Sequence, residues 1–116
     1  MEDCIFCKIV EGIIPSSKVY EDENVLAFDD IHPMAPVHVI VIPKQHIPTL
    51  LDVKSEEEGA AIMNFLVKAV QEVARIKGIS RKGFRVVINC NEEGGQVVFH
   101  LHLHVLGGKK LKDELA

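Results

Sequence analysis

Histidine alternates with an aliphatic residue three times in Phe99-His100-Leu101-His102-Leu103-His104-Val105-Leu106, so three of the chain's six histidines fall within five positions. Alternation with period two is the pattern of a half-buried β-strand. Leu101, Leu103 and Val105 would enter a core, while His100, His102 and His104 would share the opposite face. A strand with no chemistry to do would be expected to place Thr, Lys, Glu or Ser at those positions. The plain alternative is an exposed His-rich strand that binds metal only adventitiously.

Spacing limits what the three rings can share. Same-face residues on a strand lie about 6.6 Å apart, which puts about 13 Å between His100 and His104. A zinc ion holds nitrogen at about 2.0–2.1 Å, so two neighbours could share one ion, but one ion is not expected to use all three on a straight strand. The strand is expected to serve two neighbouring sites instead. Cys4 and Cys7 form a Cys-x-x-Cys, and His46 follows a strand end. With His100 they make a Cys₂His₂ set of the closed, structural zinc type, one ion per chain. The Cys-x-x-Cys alone reads equally as a redox pair or as two buried thiols, although no strand precedes it as in thioredoxin-like motifs. His102 and His104 are then left for chemistry, with His38 as a further candidate. An imidazole can act as nucleophile, acid or base near neutral pH, and an uncharged one attacks phosphorus well. His38 lies among Val37, Val39, Ile40 and Val41, where it reads equally as a satisfied, half-buried core residue.

The elements that must hold these residues follow from pattern. A short helix is expected over Cys4 to Glu11, closed at Gly12. Strands are expected over Lys18 to Tyr20, Asn24 to Asp29 and Val37 to Ile42, the last stopped by Pro43. Ile31 to Pro36 is a proline-bounded loop. A long helix from Ser55 to Lys77 opens with a Ser55/Glu58 capping box and ends at Gly78. Its stripe of Ile62, Leu66, Ala69, Val73 and Ile76 is widened by Met63, Val67, Val70 and Ala74. So wide a face implies packing across a sheet and leaves room for a subunit contact. A strand over Phe84 to Cys90, with Cys90 as a small buried residue, leads through the loop Asn91 to Gly95 into the histidine strand. The order predicts one α+β domain over residues 1–116, a mostly antiparallel five-stranded sheet with one long and one short helix. Residues 109–116 form a polar tail.

The 116 residues carry a formal net charge of −4, with 47% hydrophobic and 26% charged residues, an ordinary globular composition. Lys and Arg look spread along the chain, which argues against nucleic acid as a partner. No apolar run is long enough to span a bilayer, and no charged segment followed by an apolar stretch opens the chain. The expected location is the cytoplasm, away from membranes. Three cysteines without a secretion signal do not suggest a disulfide framework.

His100-Leu101-His102-Leu103-His104-Val105-Leu106 resembles the His-x-His-x-His-x-x signature of the histidine triad family, in which x is apolar. Ile5-Phe6-Cys7-Lys8-Ile9, Ile14-Pro15, Leu26 to Ile31, His38 to His46 and Gly94-Gly95-Gln96 are similar to the Hint-like branch, the purine nucleoside phosphoramidate hydrolases. The resemblance covers the chain from about Cys4 to Gly108. It implies a compact α+β protomer, a homodimer joined through the long helix and a strand, and a site for a purine nucleoside monophosphate or phosphoramidate. It further implies that Asp30 binds the ribose hydroxyls, and that Ile5, Phe6, Ile9, Phe28 and Ile31 enclose the base. Asn89, Gln96 and His104 would contact the phosphate, with Gly95 allowing close backbone approach. His102 would be the nucleophile, forming a nucleotidyl-histidine intermediate, with His38 supporting it by hydrogen bonding. Zinc would be structural, and catalysis would need no cofactor.

Without the resemblance, Asp30 reads equally as a turn residue, and the apolar pocket residues read equally as core. One position departs from the branch. Val97 stands in the nucleotide site where many members carry Ser, so a hydroxyl donor to phosphate or leaving group is lost. The tail also carries no aromatic residue of the kind that closes the substrate's far side in some members. Two other functions compete: a dinucleoside polyphosphate or nucleotide-sugar hydrolase, and a non-catalytic purine nucleotide-binding module.

Overall fold

β3 (Val37–Pro43) is the most fully buried strand, and its sequence explains why. Its apolar run is almost continuous because both faces are covered. Val39 and Val41 point to one side, and His38, Ile40 and Ile42 to the other. The computed structural model describes residues 3–113. Around β3 it arranges α1 (Ile5–Val10), β1 (Lys18–Glu21), β2 (Val25–Asp29), a 3₁₀ turn (Leu50–Asp52), α2 (Glu56–Ile76), β4 (Arg85–Ile88) and β5 (Leu103–Gly107). The five strands form one sheet in the order β1-β2-β3-β5-β4, every neighbouring pair antiparallel. This is the expected α+β architecture.

The sheet separates two apolar layers. On one side α2 buries Ile62, Leu66, Ala69, Val70, Val73 and Ala74 against Val25, Ala27, Val39, Val41, Leu103 and Val105. On the other, Phe6 and Ile9 of α1 pack on Leu26, Phe28, Ile40 and Ile42. The histidines belong to this second side, so the α2 layer fixes the sheet and the α1 layer borders the site.

Ser55 caps α2 by accepting a hydrogen bond from the Glu58 N–H at 3.1 Å. The reciprocal half of the expected capping box is displaced: the Glu58 carboxylate accepts from the Lys54 N–H at 3.3 Å. Gly78 follows the helix at φ +70°, as a C′ residue should. The apolar stripe is narrower than its sequence suggests. Met63, Val67 and Ile76 stay 39%, 49% and 45% exposed because they lie on its outer edge.

Several expected boundaries shift. β3 extends through Pro43, which pairs with Val25. β4 ends at Ile88, and half-buried Cys90 lies beyond it, its backbone packed under Gly94, where a Cβ would meet the Cys90 carbonyl at 2.4 Å. The largest change is in the histidine stretch. Only Leu103–Gly107 is strand; Phe99 to His102 leave the ladder, and the Leu101 N–H donates to the Ile47 carbonyl at 2.6 Å. The β4–β5 connection is therefore long, from Asn89 to His102. Among the described residues no helix is long and apolar enough to cross a membrane.

Leu66, fully buried beneath the sheet, tests this layering. Chemical denaturation at fixed protein concentration should show Leu66→Ala losing about 2–5 kcal/mol. Exposed Gln71→Ala should change stability by about 0.5 kcal/mol or less.

Candidate active site

Strand register brings the catalytic candidates together. Ile40 pairs with His104 and His38 with Leu106. His38 and His104 are thus diagonal neighbours on one face, within reach of each other's rings. His38 Nε2 lies 2.9 Å from His104 Nδ1. The His102 and His104 ring centres are 5.0 Å apart, and Phe6 meets the His102 ring edge-on at 5.0 Å.

Backbone groups at both ends of this chain fix where its protons sit. The Met34 N–H donates to His38 Nδ1 at 3.0 Å, so that nitrogen carries a lone pair and the His38 proton is on Nε2. Nε2 donates to His104 Nδ1, which places the His104 proton on its own Nε2. His102 Nδ1 lies 2.7 Å from the His100 carbonyl, an obligate acceptor, so Nδ1 holds the His102 proton. His102 Nε2 is left with a lone pair. The pair offers one nucleophilic nitrogen beside one N–H donor.

Burial keeps all three rings uncharged. Desolvation dominates in each case, lowering His38 and His102, and pushing His104 down to about 4 with help from His102 and His38. The Asp30 carboxylate opposes the shift in each. At neutral pH the His102 lone pair is therefore free to react.

These rings close one end of a cleft of about 760 Å³, within the usual range for a small-molecule site. Ile5, Phe6, Ile9, Phe28, Ile31, Asp30, Gly95 and Val97 all line it, together with His38, His102 and His104. Phe6, Ile9 and Phe28 also belong to the core, so here the two uses of these residues coincide. Ile31 and Val97 are 86% and 87% exposed at the rim. One Asp30 oxygen accepts from the His32 N–H at 2.8 Å, and another lies 3.3 Å from His38 Nε2.

Three residues expected at the phosphate end have these surroundings. Gln96 is buried away from the cleft; its amide donates to the Pro48 and Val98 carbonyls at 2.8 and 3.1 Å and accepts from the Asn91 N–H at 2.8 Å. It is a brace for the loop, its capacity spent on backbone. Asn89 borders a separate cleft and donates to the Gly94 carbonyl at 2.7 Å. Gly95 has φ +81°, and a Cβ there would meet only Asn89 Nδ2 at 3.8 Å. Conformation, not crowding, is what demands glycine. The sequence reading missed the Met34 N–H and the His100 carbonyl, since main-chain groups leave no trace in residue type. Ile14, Ile40 and Val98 were also missed as cleft walls.

Cys4, Cys7, His46 and His100 converge as a second, separate cluster. His100 Nδ1 lies 3.3 Å from Cys4 Sγ, 3.6 Å from Cys7 Sγ and 3.3 Å from His46 Nδ1; Cys7 Sγ lies 3.3 Å from His46 Nδ1. A tetrahedral ion with metal–nitrogen and metal–sulfur bonds of about 2.0–2.1 and 2.3 Å would need edges of about 3.4 and 3.6 Å. The donors already stand close to those spacings. His100 Nε2 faces the Pro43 carbonyl at 2.7 Å, which holds the proton there and turns a bare Nδ1 lone pair into the cluster. Burial, and then neighbouring Cys4, push the Cys7 thiol up to about 11, so a cation is what would ionise it. Asp30, His38 and His104 also lie within ligating reach of one another, but the 2.9 Å nitrogen separation there is that of a shared proton.

The molecule can now be set beside known proteins. Residues 11–111 match the family model of the HIT domain. The chain is 44% identical to the purine nucleoside phosphoramidase of Escherichia coli K12, covering 99% of this chain and 95% of that one. It superposes on a histidine triad protein from Clostridium difficile with a TM-score of 0.93 at 48% identity, covering 99% and 98% of the two chains. For a HIT family hydrolase from Clostridium thermocellum the TM-score is 0.94 at 45% identity, with 100% and 99% covered.

The depressed His104 value gives a direct check. Its imidazole resonances should keep their neutral-form shifts down to about pH 5, whereas a free imidazole is half protonated near 6.5. A midpoint at or above 6.5 would contradict the proton order derived above. For the same reason folding stability should decline as pH falls from 6.5 toward 4, where the unfolded chain takes up a proton that folded His104 refuses.

Proposed function

The chain belongs to the HIT domain family, and from that membership and the cleft's geometry we propose that it is a hydrolase of purine nucleoside 5′-phosphoramidates. One observation carries the reading: His102 presents an unprotonated Nε2 beside the Nε2–H of His104, at the end of an apolar cleft that contains a carboxylate. The flat apolar wall of Ile5, Phe6, Ile9, Phe28 and Ile31 suits a purine ring. Asp30 would take the ribose hydroxyls, since a carboxylate can accept from both oxygens of a vicinal diol. The phosphorus then comes to rest against His102 and His104.

The chemistry divides into two displacements. His102 Nε2 attacks phosphorus as the P–N bond breaks, and the departing nitrogen takes one proton from solvent to leave as the free amine. Water then attacks the nucleotidyl-histidine, breaks its P–N bond, and returns one proton to solvent as the nucleotide leaves. His104 Nε2–H donates to a phosphoryl oxygen throughout, and its charge stabilisation needs no reorganisation because the His38 bond has already oriented the ring. His38 acts as a positioning residue. The His100 carbonyl does the same for His102. Gly95 and Val97 would border the phosphate end, with Gln96 setting the loop that carries them.

We also propose that the Cys4, Cys7, His46 and His100 cluster holds one zinc ion. Two thiolates and two imidazoles in a closed set are a structural zinc environment, which ties α1 to the segment before β5. A homodimer is proposed as well. Edge strand β4 and the exposed Met63 and Val67 of α2 offer what such an interface requires. We further propose that the protein acts on a small-molecule substrate in the cytoplasm, with neither nucleic acid nor membrane as partner.

His102→Ala should lower turnover of an adenosine 5′-phosphoramidate by about a thousandfold or more. Its affinity for AMP should stay within about threefold of the parent's. Undiminished turnover would exclude His102 as nucleophile. Elemental analysis should find about one zinc per chain, lost together with thermal stability in Cys4→Ser. A metal-free protein of unchanged melting temperature would exclude the structural ion.

A further inference from the structure

The fold gathers cations that are scattered in the sequence. The turn after α2 and β4 supplies Lys77, Lys82 and Arg85, and the tail supplies Lys109, Lys110 and Lys112; together they line three adjoining clefts. The even spread read from the sequence is thus corrected, in a protein whose net charge is −4. Lys77 is neutralised by Asp29 at 2.8 Å, but one of these clefts, of about 540 Å³, carries Arg85, Lys109, Lys110 and Lys112, with no carboxylate among the described residues that line it.

Its position gives the charge meaning. Arg85 pairs with Leu106 and Val87 with His104, so Arg85 and Val87 share the sheet face of the histidines. The cationic cleft and the apolar one have His38, His104 and Met34 in common as a dividing wall. Arg85 also donates from Nη2 to the Lys112 carbonyl at 2.6 Å, which holds the tail beside the cleft. His102 lines only the apolar side. In an in-line displacement the leaving group departs opposite the nucleophile, away from His102 and past His104.

We propose that this second cleft is the leaving-group subsite, and that Arg85, Lys109, Lys110 and Lys112 select amines bearing a negative charge, such as the carboxylates of an acidic amino acid. The inference rests on the phosphoramidase reading above. It adds a charge preference that neither fold nor family membership specifies. The carboxylates at the nucleoside end, Asp29 and Asp30, and the cations at the other end would orient such a substrate in one direction.

Steady-state kinetics of the full chain on adenosine 5′-phosphoramidates of aspartate, alaninamide and lysinamide test it. The expected order of kcat/KM is aspartate, alaninamide, lysinamide, with the spread narrowing as salt rises. Arg85→Gln should reduce the aspartate-to-lysinamide ratio by about threefold. The Lys109→Gln/Lys110→Gln/Lys112→Gln variant, whose exposed side chains can change without disturbing the core, should reduce it by about tenfold. Diadenosine tetraphosphate turned over faster than the aspartate conjugate would support the charge preference and assign the anion to phosphate. Equal turnover of the three conjugates, or a ratio unmoved by both variants, would overturn the inference. No turnover of any conjugate would overturn the function beneath it.

Discussion

Everything at this site depends on one hydrogen bond whose direction is fixed from outside. His38 and His104 share a proton across 2.9 Å, and two imidazoles alone would leave its ownership undecided. The Met34 N–H settles it by occupying the only other His38 nitrogen. From that contact follow the His104 tautomer and the N–H it turns toward the cleft, while burial keeps the pair neutral. The bond itself exists because antiparallel register makes residues 38 and 104 diagonal on one face. A one-residue slip of either strand would turn its own ring into the α2 core and part the pair. The fully buried β3 and its contacts on both faces make such a slip prohibitive.

The segment before β5 joins two sites through adjacent atoms of one residue. The His100 ring faces the thiols, and its carbonyl accepts from His102. Whatever fixes the ring therefore fixes the acceptor that holds the His102 tautomer. Phe6 completes the link, meeting both rings edge-on at 5.9 and 5.0 Å from the helix that carries Cys7. The division of the three histidines between two clusters is thus geometric. It is also why this segment leaves the ladder: His100 must reach α1, while His104 must stay in register with β3.

Much of this was legible in the residues. Period two marked the buried leucines, Ser55 and Gly78 marked the ends of α2, and Cys4, Cys7, His46 and His100 were grouped as one set. What stayed hidden has physical reasons. Gln96 and Asn89 are polar types suited to phosphate, and their bonds to loop carbonyls are a tertiary feature with no local signature. Glycines 94 and 95 look alike in sequence, but crowding against Cys90 demands the first and a positive φ the second. The alternation of Phe99 to His102 was real, but sheet pairing did not follow it, because the Leu101 N–H bonds Ile47 instead of a strand. Charge patterning was invisible for a similar reason: segments 77–85 and 109–112 are distant in the chain and become neighbours only through the β4–β5 pairing.

The central claim is that His102 forms a covalent bond to phosphorus. Stereochemistry at a chiral, isotopically labelled phosphorus tests it most directly, since each in-line displacement inverts configuration. Two displacements through nucleotidyl-His102 predict overall retention in the released nucleotide. Overall inversion would mean that water attacks the substrate directly, and would contradict the account.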